Sequence, residues 1–404
     1  MPKKTASSTR HAEPSVKLSV RGTTRLLARH PWVYRSDVVG AEDIPPGAVV
    51  RVLDGRGKFL GTALYSSSSQ IAIRMISHGS VADLPALIAE RIRAAVAYRK
   101  DVVANTDAYR VVFSEADFLP GLIVDRYNDV VSLQILTQAM DSAPSREAIL
   151  KTLREELQPA GIVERVEPRI RELEQLPPLD SGLRWGEKSA TEVSMNGIRF
   201  HYEAFEGQKT GAFLDQRENY AAAARYAHGE AIDTFCYQGG FALHLALGSG
   251  GKCSSVTGVD SSRPALEMAE KNATLNGREL EWIEANAFDL LREYSAANRR
   301  YDTIVLDPPA FAKTKRDLEK ALGGYKELNL RAMKMLRPGG ILISCSCSFH
   351  VSAADFMDVV SAAARDAHKD LRLIESRGAA KDHPILLNAP ETGYLQCLIM
   401  TVSN

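Results

Sequence analysis

From residue 231 onward the chain repeats one unit, a short run rich in Val, Ile and Leu followed by a stretch of helical periodicity. The runs fall at residues 231–235, 255–259, 280–283, 303–306 and 341–346. A strand covered on both faces reads as a continuous apolar run, and strands that alternate with helices pair in parallel because each helix is the crossover to the next strand. The pattern therefore predicts an open, doubly wound α/β sheet. In such a sheet the fourth run is expected beside the fifth, and ligands bind outside the carboxyl ends of the strands, near the point where strand order reverses.

The residues just past the end of each run therefore carry the most information. The first run leads into Phe235-Cys236-Tyr237-Gln238-Gly239-Gly240-Phe241, where paired glycines let backbone approach a ligand at a helix N-terminus. It lacks the Gly-x-Gly-x-x-Gly spacing of a pyrophosphate loop, which disfavours a dehydrogenase. The second run ends at Val259-Asp260, and a carboxylate there can accept both hydroxyls of a ribose. The third is followed by Asn286-Ala287, with Asn286 a partner for an adenine amino group. The fourth ends in Asp307-Pro308-Pro309 and the fifth in Cys345-Ser346-Cys347. Each signal alone has a bland explanation, a turn or a helix cap. Five in order, at consecutive strand ends, point jointly to a nucleoside site.

At 404 residues the chain exceeds a single core. Residues 1–14 are expected to be a disordered tail. Residues 15–80 alternate as short strands, Val16, Leu18 and Val20 forming the first, and make a small β domain. Residues 81–107 form a connector helix, and residues 108–185 a central α/β unit of two strands, a helix beginning at Ser145, and a further strand. Residues 186–404 form the last domain, opened by a hairpin that turns at Asn196-Gly197. Lys plus Arg balances Asp plus Glu at 50 each, yet residues 15–78 hold nine basic against four acidic side chains. Arg21, Arg25 and Arg29 lie at helical spacing beside Trp32, combining phosphate-neutralising charge with a ring able to stack on bases. No apolar run is long enough to span a bilayer and no apolar signal core opens the chain, so a cytoplasmic location without membrane contact is expected. Five cysteines without a Cys-x-x-Cys pair suit free thiols and no metal.

The run Gly207-Gln208-Lys209-Thr210-Gly211-Ala212-Phe213-Leu214-Asp215-Gln216-Arg217, together with Tyr237-Gln238-Gly239-Gly240-Phe241, Asp307-Pro308-Pro309 and Ser346-Cys347-Ser348, resembles the RlmI family of large-subunit ribosomal RNA cytosine methyltransferases. The likeness extends over nearly the whole chain, including Arg29-His30-Pro31-Trp32-Val33-Tyr34 and Leu119-Pro120-Gly121-Leu122-Ile123-Val124-Asp125. It implies an RNA-binding PUA domain, a small central domain and a Rossmann-like class I methyltransferase domain using S-adenosyl-L-methionine. It further implies that Lys209, Thr210, Gly211 and Phe213 close over the methionine part of the cofactor, with Asp233, Gly239 and Asp260 beneath. Asp215, Phe235, Gly240, Asn286 and Ala287 complete that set, and Pro308, Pro309 and Lys313 join Arg21, Arg25, Arg29 and Trp32 on the RNA side. Two positions depart from the family pattern: Asn286 stands where aspartate is common, and Cys345 precedes the motif cysteine.

The chemistry implied is methyl transfer to carbon 5 of a cytosine in 23S ribosomal RNA. Carbon 5 is a poor nucleophile until a thiolate adds at carbon 6. Cys347, at the carboxyl edge of the fifth strand, is the expected nucleophile, with Cys345 inside the sheet and Asp307 holding the base edge. Asp-Pro-Pro is also compatible with methylation of a base amine, although Ala310 intervenes before Phe311, and an inert RNA-binding assembly factor is a third reading. The partner expected is ribosomal RNA, and the oligomeric state, a homodimer included, stays open.

Overall fold

The computed structural model describes residues 14–41, 43–205, 212–312 and 314–403. The first sheet is built from β1 (Ser15–Leu18), β2 (Trp32–Tyr34), β3 (Val38–Val39), β4 (Val49–Leu53), β5 (Phe59–Tyr65) and β6 (Ile71–Ser77), in the order β2-β6-β5-β4-β1-β3. It closes over Val16, Val33, Val50, Val52 and Ile73. Val20 does not continue β1. Ser19 accepts a hydrogen bond from the Gly22 N–H and starts helix α1 (Val20–Leu27), which leaves Val20 85% exposed. The helix stops at Leu27, and Arg29 adopts a left-handed backbone at φ 65° beyond it, so the arginine stripe expected from spacing is not one helix face.

Helix α2 (Leu84–Val102) opens at an Asp83 cap and buries Ile88, Ile92 and Val96 against the second sheet. That sheet contains β7 (Ala108–Phe113), β8 (Leu122–Tyr127), β9 (Val130–Ile135), β10 (Gly161–Glu164) and β11 (Gly182–Gly186) in the order β11-β10-β9-β8-β7. Three strands precede helix α3 (Ala143–Leu157) where two were expected, because the turn between β8 and β9 is only Asn128-Asp129. The helix begins after Ser142, with Pro144 in its first turn, so Ser145 is inside it and not at its start. Helix α4 (Pro168–Leu173) follows β10.

Strands β12 (Ala190–Met195) and β13 (Ile198–Glu203) pair antiparallel around Asn196 and Gly197, whose φ values of 53° and 83° are those of a type I′ hairpin turn. Then come α5 (Arg217–Tyr226), β14 (Gly229–Thr234), α6 (Gly240–Gly248), β15 (Cys253–Asp260), α7 (Arg263–Leu275), β16 (Glu281–Glu284), α8 (Ala287–Ala296), β17 (Tyr301–Leu306), α9 (Leu318–Met335), β18 (Leu336–Ser346), α10 (Ala353–Ala367), β19 (Asp370–Arg377) and β20 (Gln396–Ser403). Their sheet runs β16-β15-β14-β17-β18-β20-β19, parallel except that β20 lies antiparallel to both neighbours. Helices α8, α9 and α10 cover one face through Leu291, Tyr325 and Phe356, and α5 and α6 cover the other through Ala223, Phe241 and Leu245. Strand order reverses between β14 and β17, which places the crevice there.

The three parts are joined by buried polar contacts. Asp382, wholly buried after β19, accepts from the Arg217 guanidinium at 3.0 Å and from the Arg110 backbone N–H at 2.8 Å. The Asp382 carbonyl accepts from Arg99 of α2 at 2.8 Å. Burial alone would raise the Asp382 carboxyl, but the His383 hydrogen bond and charge and the Arg217 charge hold it well below the usual range. The first sheet is tied in through Trp32 Nε1, which donates to Glu115 at 2.9 Å, and through Ser66, which donates to Glu174 at 2.7 Å.

Candidate active site

At the reversal point a cavity of about 430 Å³ opens beyond the carboxyl ends of β14, β15, β16 and β17. Its size lies within the range of small-molecule sites. The loop after β14 forms its floor in an unusual backbone: Phe235, Tyr237 and Gly239 have φ of 67°, 49° and 86°. A non-glycine residue held left-handed costs on the order of 1–2 kcal/mol. Hydrogen bonds offset this, from Cys236 N–H to the Val259 carbonyl at 2.9 Å and from Tyr237 N–H to Asp260 Oδ2 at 2.9 Å. Gly240 is required by packing, because a Cβ there would lie 2.6 Å from the Tyr220 ring.

Asp260 is therefore pinned at the end of β15, its other oxygen accepting from the Ser262 N–H at 2.8 Å. It lines the cavity, as do Phe213, Asp215, Phe235, Gly240 and Ala287. Phe213 meets the Tyr237 ring edge-on at 5.1 Å, and Asp215 accepts a hydrogen bond from the Tyr394 hydroxyl. Asp233 and Gly239 sit behind this lining. Asp233 is buried, with Oδ2 accepting from the Ala242 N–H at 2.9 Å and Oδ1 without a hydrogen-bond partner. Burial, then the negative charges of Asp307 and Asp260, push its carboxyl well above the usual range. An orphaned buried acceptor beneath a cavity whose donors and carboxylates suit a nucleoside fits a cationic, adenosine-bearing ligand.

Asn286 also lines the cavity, but its oxygen caps α8 by accepting from the Phe288 and Asp289 N–H groups at 2.9 and 3.4 Å. The acceptor expected to meet an adenine amino group is thus committed to the helix.

Two further strand ends meet as expected, because β17 and β18 are parallel neighbours. Asp307, Pro308 and Pro309 line the cavity, and Cys347 joins them one residue past β18 with its Sγ 3.8 Å from the Pro308 carbonyl. Cys345 is wholly buried, directly opposite Cys397 on β20. Burial, then Cys397, push its thiol well above the ordinary value, which leaves it inert. Ser346 and Ser348 entered the sequence reading only as flanks of the motif cysteine, and Tyr325 was not singled out. Ser348 Oγ accepts from the Phe311 and Ala312 N–H groups at 3.0 and 3.2 Å, and the Tyr325 hydroxyl lies 2.9 Å from it and 3.0 Å from Ser346 Oγ. This buried triad fastens the Asp307-Pro308-Pro309 loop to the strand that presents the thiol. Small polar residues alternating with cysteines in an apolar strand were the available signal.

Of the residues expected on the RNA side, Pro308 and Pro309 line the cavity, whereas the arginines and Trp32 of the first domain lie apart from it. Arg21 pairs with Asp37 at 2.8 Å, and that partner holds the Asp37 carboxyl below its usual range. Arg25 lies 3.5 Å from Glu391 of the last domain, beside His30. Trp32 donates to Glu115, and Arg29 is exposed. Lys209, Thr210, Gly211 and Lys313 lie outside the described residues. Among the described residues no cluster of His, Cys, Asp and Glu could hold a metal ion, and no helix is long and apolar enough to cross a membrane.

Residues 16–78 match the PUA-like domain and residues 130–394 the S-adenosylmethionine-dependent methyltransferase family, so the protein is a methyltransferase of that cofactor with a PUA-like domain ahead of it. Ribosomal RNA large subunit methyltransferase I of Photobacterium profundum is 36% identical over 93% of this chain and 96% of its own length. The protein of that name from Shewanella denitrificans is 36% identical over 96% and 99%. The chain belongs to the ribosomal RNA large subunit methyltransferase I family. In fold, a crystal structure of a methyltransferase complexed with SAH superposes with a TM-score of 0.82 at 18% identity, covering 96% of this chain and 100% of the other. A Streptococcus mutans chain described as a SAM-dependent methyltransferase gives 0.80 at 18% identity, with the same coverage.

Proposed function

We propose that the protein methylates carbon 5 of a cytosine in 23S ribosomal RNA, in the cytoplasm, with Cys347 as nucleophile. The observation that carries this reading is the contrast between two thiols two residues apart. Cys347 lines the cavity beside Pro308, whereas Cys345 is sealed in the sheet. An amine methyltransferase has no use for a thiol at that edge.

Bound S-adenosylmethionine supplies an electrophilic methyl group on a sulfonium. Asp260 would accept from the ribose hydroxyls, the backbone N–H of Ala287 at the start of α8 would meet the adenine ring, and Phe213, Asp215, Phe235, Gly239 and Gly240 would surround the methionine part above Asp233. Asp307 would hold the cytosine through its ring nitrogen and exocyclic amine, between Pro308 and Pro309. The Cys347 thiolate adds to carbon 6 and the electron pair so displaced lets carbon 5 take the methyl group. A base then removes the carbon 5 proton, and the returning pair expels the thiolate. The first domain would contribute phosphate contacts, with Arg29 among its exposed cations.

RNA carrying 5-fluorocytosine cannot lose its carbon 5 substituent and should trap the enzyme as a covalent adduct. Cys347→Ala is expected to abolish both adduct and methylation, and Cys345→Ala to keep the adduct. Methylation by Cys347→Ala at the wild-type rate would refute the thiol mechanism and favour transfer to an amine.

A further inference from the structure

Asp307 is not held by its own loop alone. Gln216 Nε2 donates to Asp307 Oδ1 at 2.9 Å, across 91 residues of sequence. The Gln216 carbonyl accepts from Asn219 Nδ2 at 2.7 Å, and Asn219 Oδ1 accepts from Arg377 Nε at 2.8 Å. Gln216 and Asn219 are 3% and 1% exposed, so water does not substitute for these partners.

The order of donors along this chain has only one solution. Amide nitrogen and oxygen are nearly equal in size, so either orientation of each amide fills the space. The guanidinium of Arg377 can only donate, which turns the Asn219 oxygen toward it and the Asn219 nitrogen toward Gln216. That nitrogen also donates to the Gly378 carbonyl at 3.0 Å, a second group that accepts only. Gln216 must then present oxygen to Asn219 and nitrogen to Asp307.

Resting on the reading of Asp307 above, we infer that Gln216, with its amide polarity set by Arg377 through Asn219, is a positioning residue for the reaction. It orients the Asp307 carboxylate and dictates where that group carries a proton. The oxygen that receives the N–H is the poorer site for a proton, because an unprotonated oxygen is the stronger acceptor, so a proton taken up by Asp307 favours Oδ2.

Gln216→Glu keeps size and shape but sets a second carboxylate against Asp307. Two carboxylates at hydrogen-bond distance share one proton near neutrality and lose it as pH rises, because like charges disfavour the doubly ionised form. The ratio of variant to wild-type kcat should therefore fall at least tenfold between pH 6 and pH 9. KM for S-adenosylmethionine should stay within twofold, and the melting temperature should show that the variant is folded. Gln216→Met, which has no titrating group, should lower kcat by a ratio independent of pH. Since Asn219 acts through Gln216, Asn219→Ala combined with Gln216→Met should be no slower than Gln216→Met alone. A flat ratio for Gln216→Glu overturns the inference, as does multiplication of the two losses in the double variant. Asp307→Asn separates the levels: if it is inactive while both Gln216 variants match wild type, the relay fails and the role of Asp307 stands. If Asp307→Asn is fully active, both fail.

Discussion

Acidification should loosen the floor of the cavity through a histidine that never touches ligand. His244, in the second turn of α6, is 1% exposed and lies 2.7 Å through Nδ1 from the Gly240 carbonyl. Its Nε2 lies 3.0 Å from Asn196 Nδ2, which also donates to the Arg217 carbonyl at 2.9 Å. The Asn196 group is therefore a donor, Nε2 must accept, and the neutral ring carries its proton on Nδ1. A second proton would set two donors face to face in a buried site. Burial lowers the pKa from 6.5 to about 4, against hydrogen bonds to backbone that work to raise it. The folded value is depressed, so the unfolded chain takes the proton first, and the stability this group contributes is complete above pH 6.5 and lost as pH falls toward 4. At about 1.4 kcal/mol per unit the full displacement corresponds to about 3 kcal/mol, of which about 2 kcal/mol is gone by pH 5. His244→Gln keeps a donor and an acceptor without a titrating group. Urea unfolding of both proteins between pH 7.5 and pH 5 should show the wild type losing about 2 kcal/mol relative to the variant. A stability difference constant with pH would refute the reasoning, as would a His244 ring titrating above pH 6 by NMR.

Asp260→Ala should weaken S-adenosylmethionine binding by about 1.5–3 kcal/mol, the loss typical of hydrogen bonds to a charged group, read by calorimetry; unchanged affinity would remove Asp260 from the site. Binding of ribosomal RNA should weaken with salt, and Arg29→Ala should reduce the slope by about 0.7–0.9 for each phosphate that is no longer neutralised. Arg21→Ala should leave that slope unaltered, because Arg21 is already neutralised by Asp37; equal effects of the two substitutions would count against the distinction.

The parallel core was legible because strands β14, β15, β17 and β18 are covered on both faces, so their buried stretches read as apolar runs bounded by helices, and the edge strand β16 still carries Trp282-Ile283. Strand β19 was missed for the converse reason: at the edge of the sheet it is mostly exposed and mixes Arg372, Glu375, Ser376 and Arg377 with apolar residues in no fixed period. The positions of Asp260, Asp307 and Cys347 at one cavity followed from topology, since strand ends converge where strand order reverses. The details that failed are competitions between neighbours. Ser19 diverts the chain into α1 before Val20 can extend β1, and Asn286 serves its own helix before any ligand. Spacing alone placed Arg29 on a helix that Leu27 ends. The Gln216 to Asp307 bond spans 91 residues and leaves no local pattern, so only the folded chain reveals it.

The burial of Asp382 limits how this chain can be divided. Its sequence reads as separable modules, and the usual dissection would release residues 186–404 for study alone. Such a fragment would lose the Arg99 side chain and the Arg110 N–H, which come from α2 and β7, and keep Arg217 and His383 beside a carboxylate stripped of its cover. Swapping the first two modules between relatives meets the same obstacle unless these groups travel with them. Recombination that respects apparent linkers would thus yield misfolded hybrids, and the unit of inheritance for this enzyme is the whole chain from α2 onward.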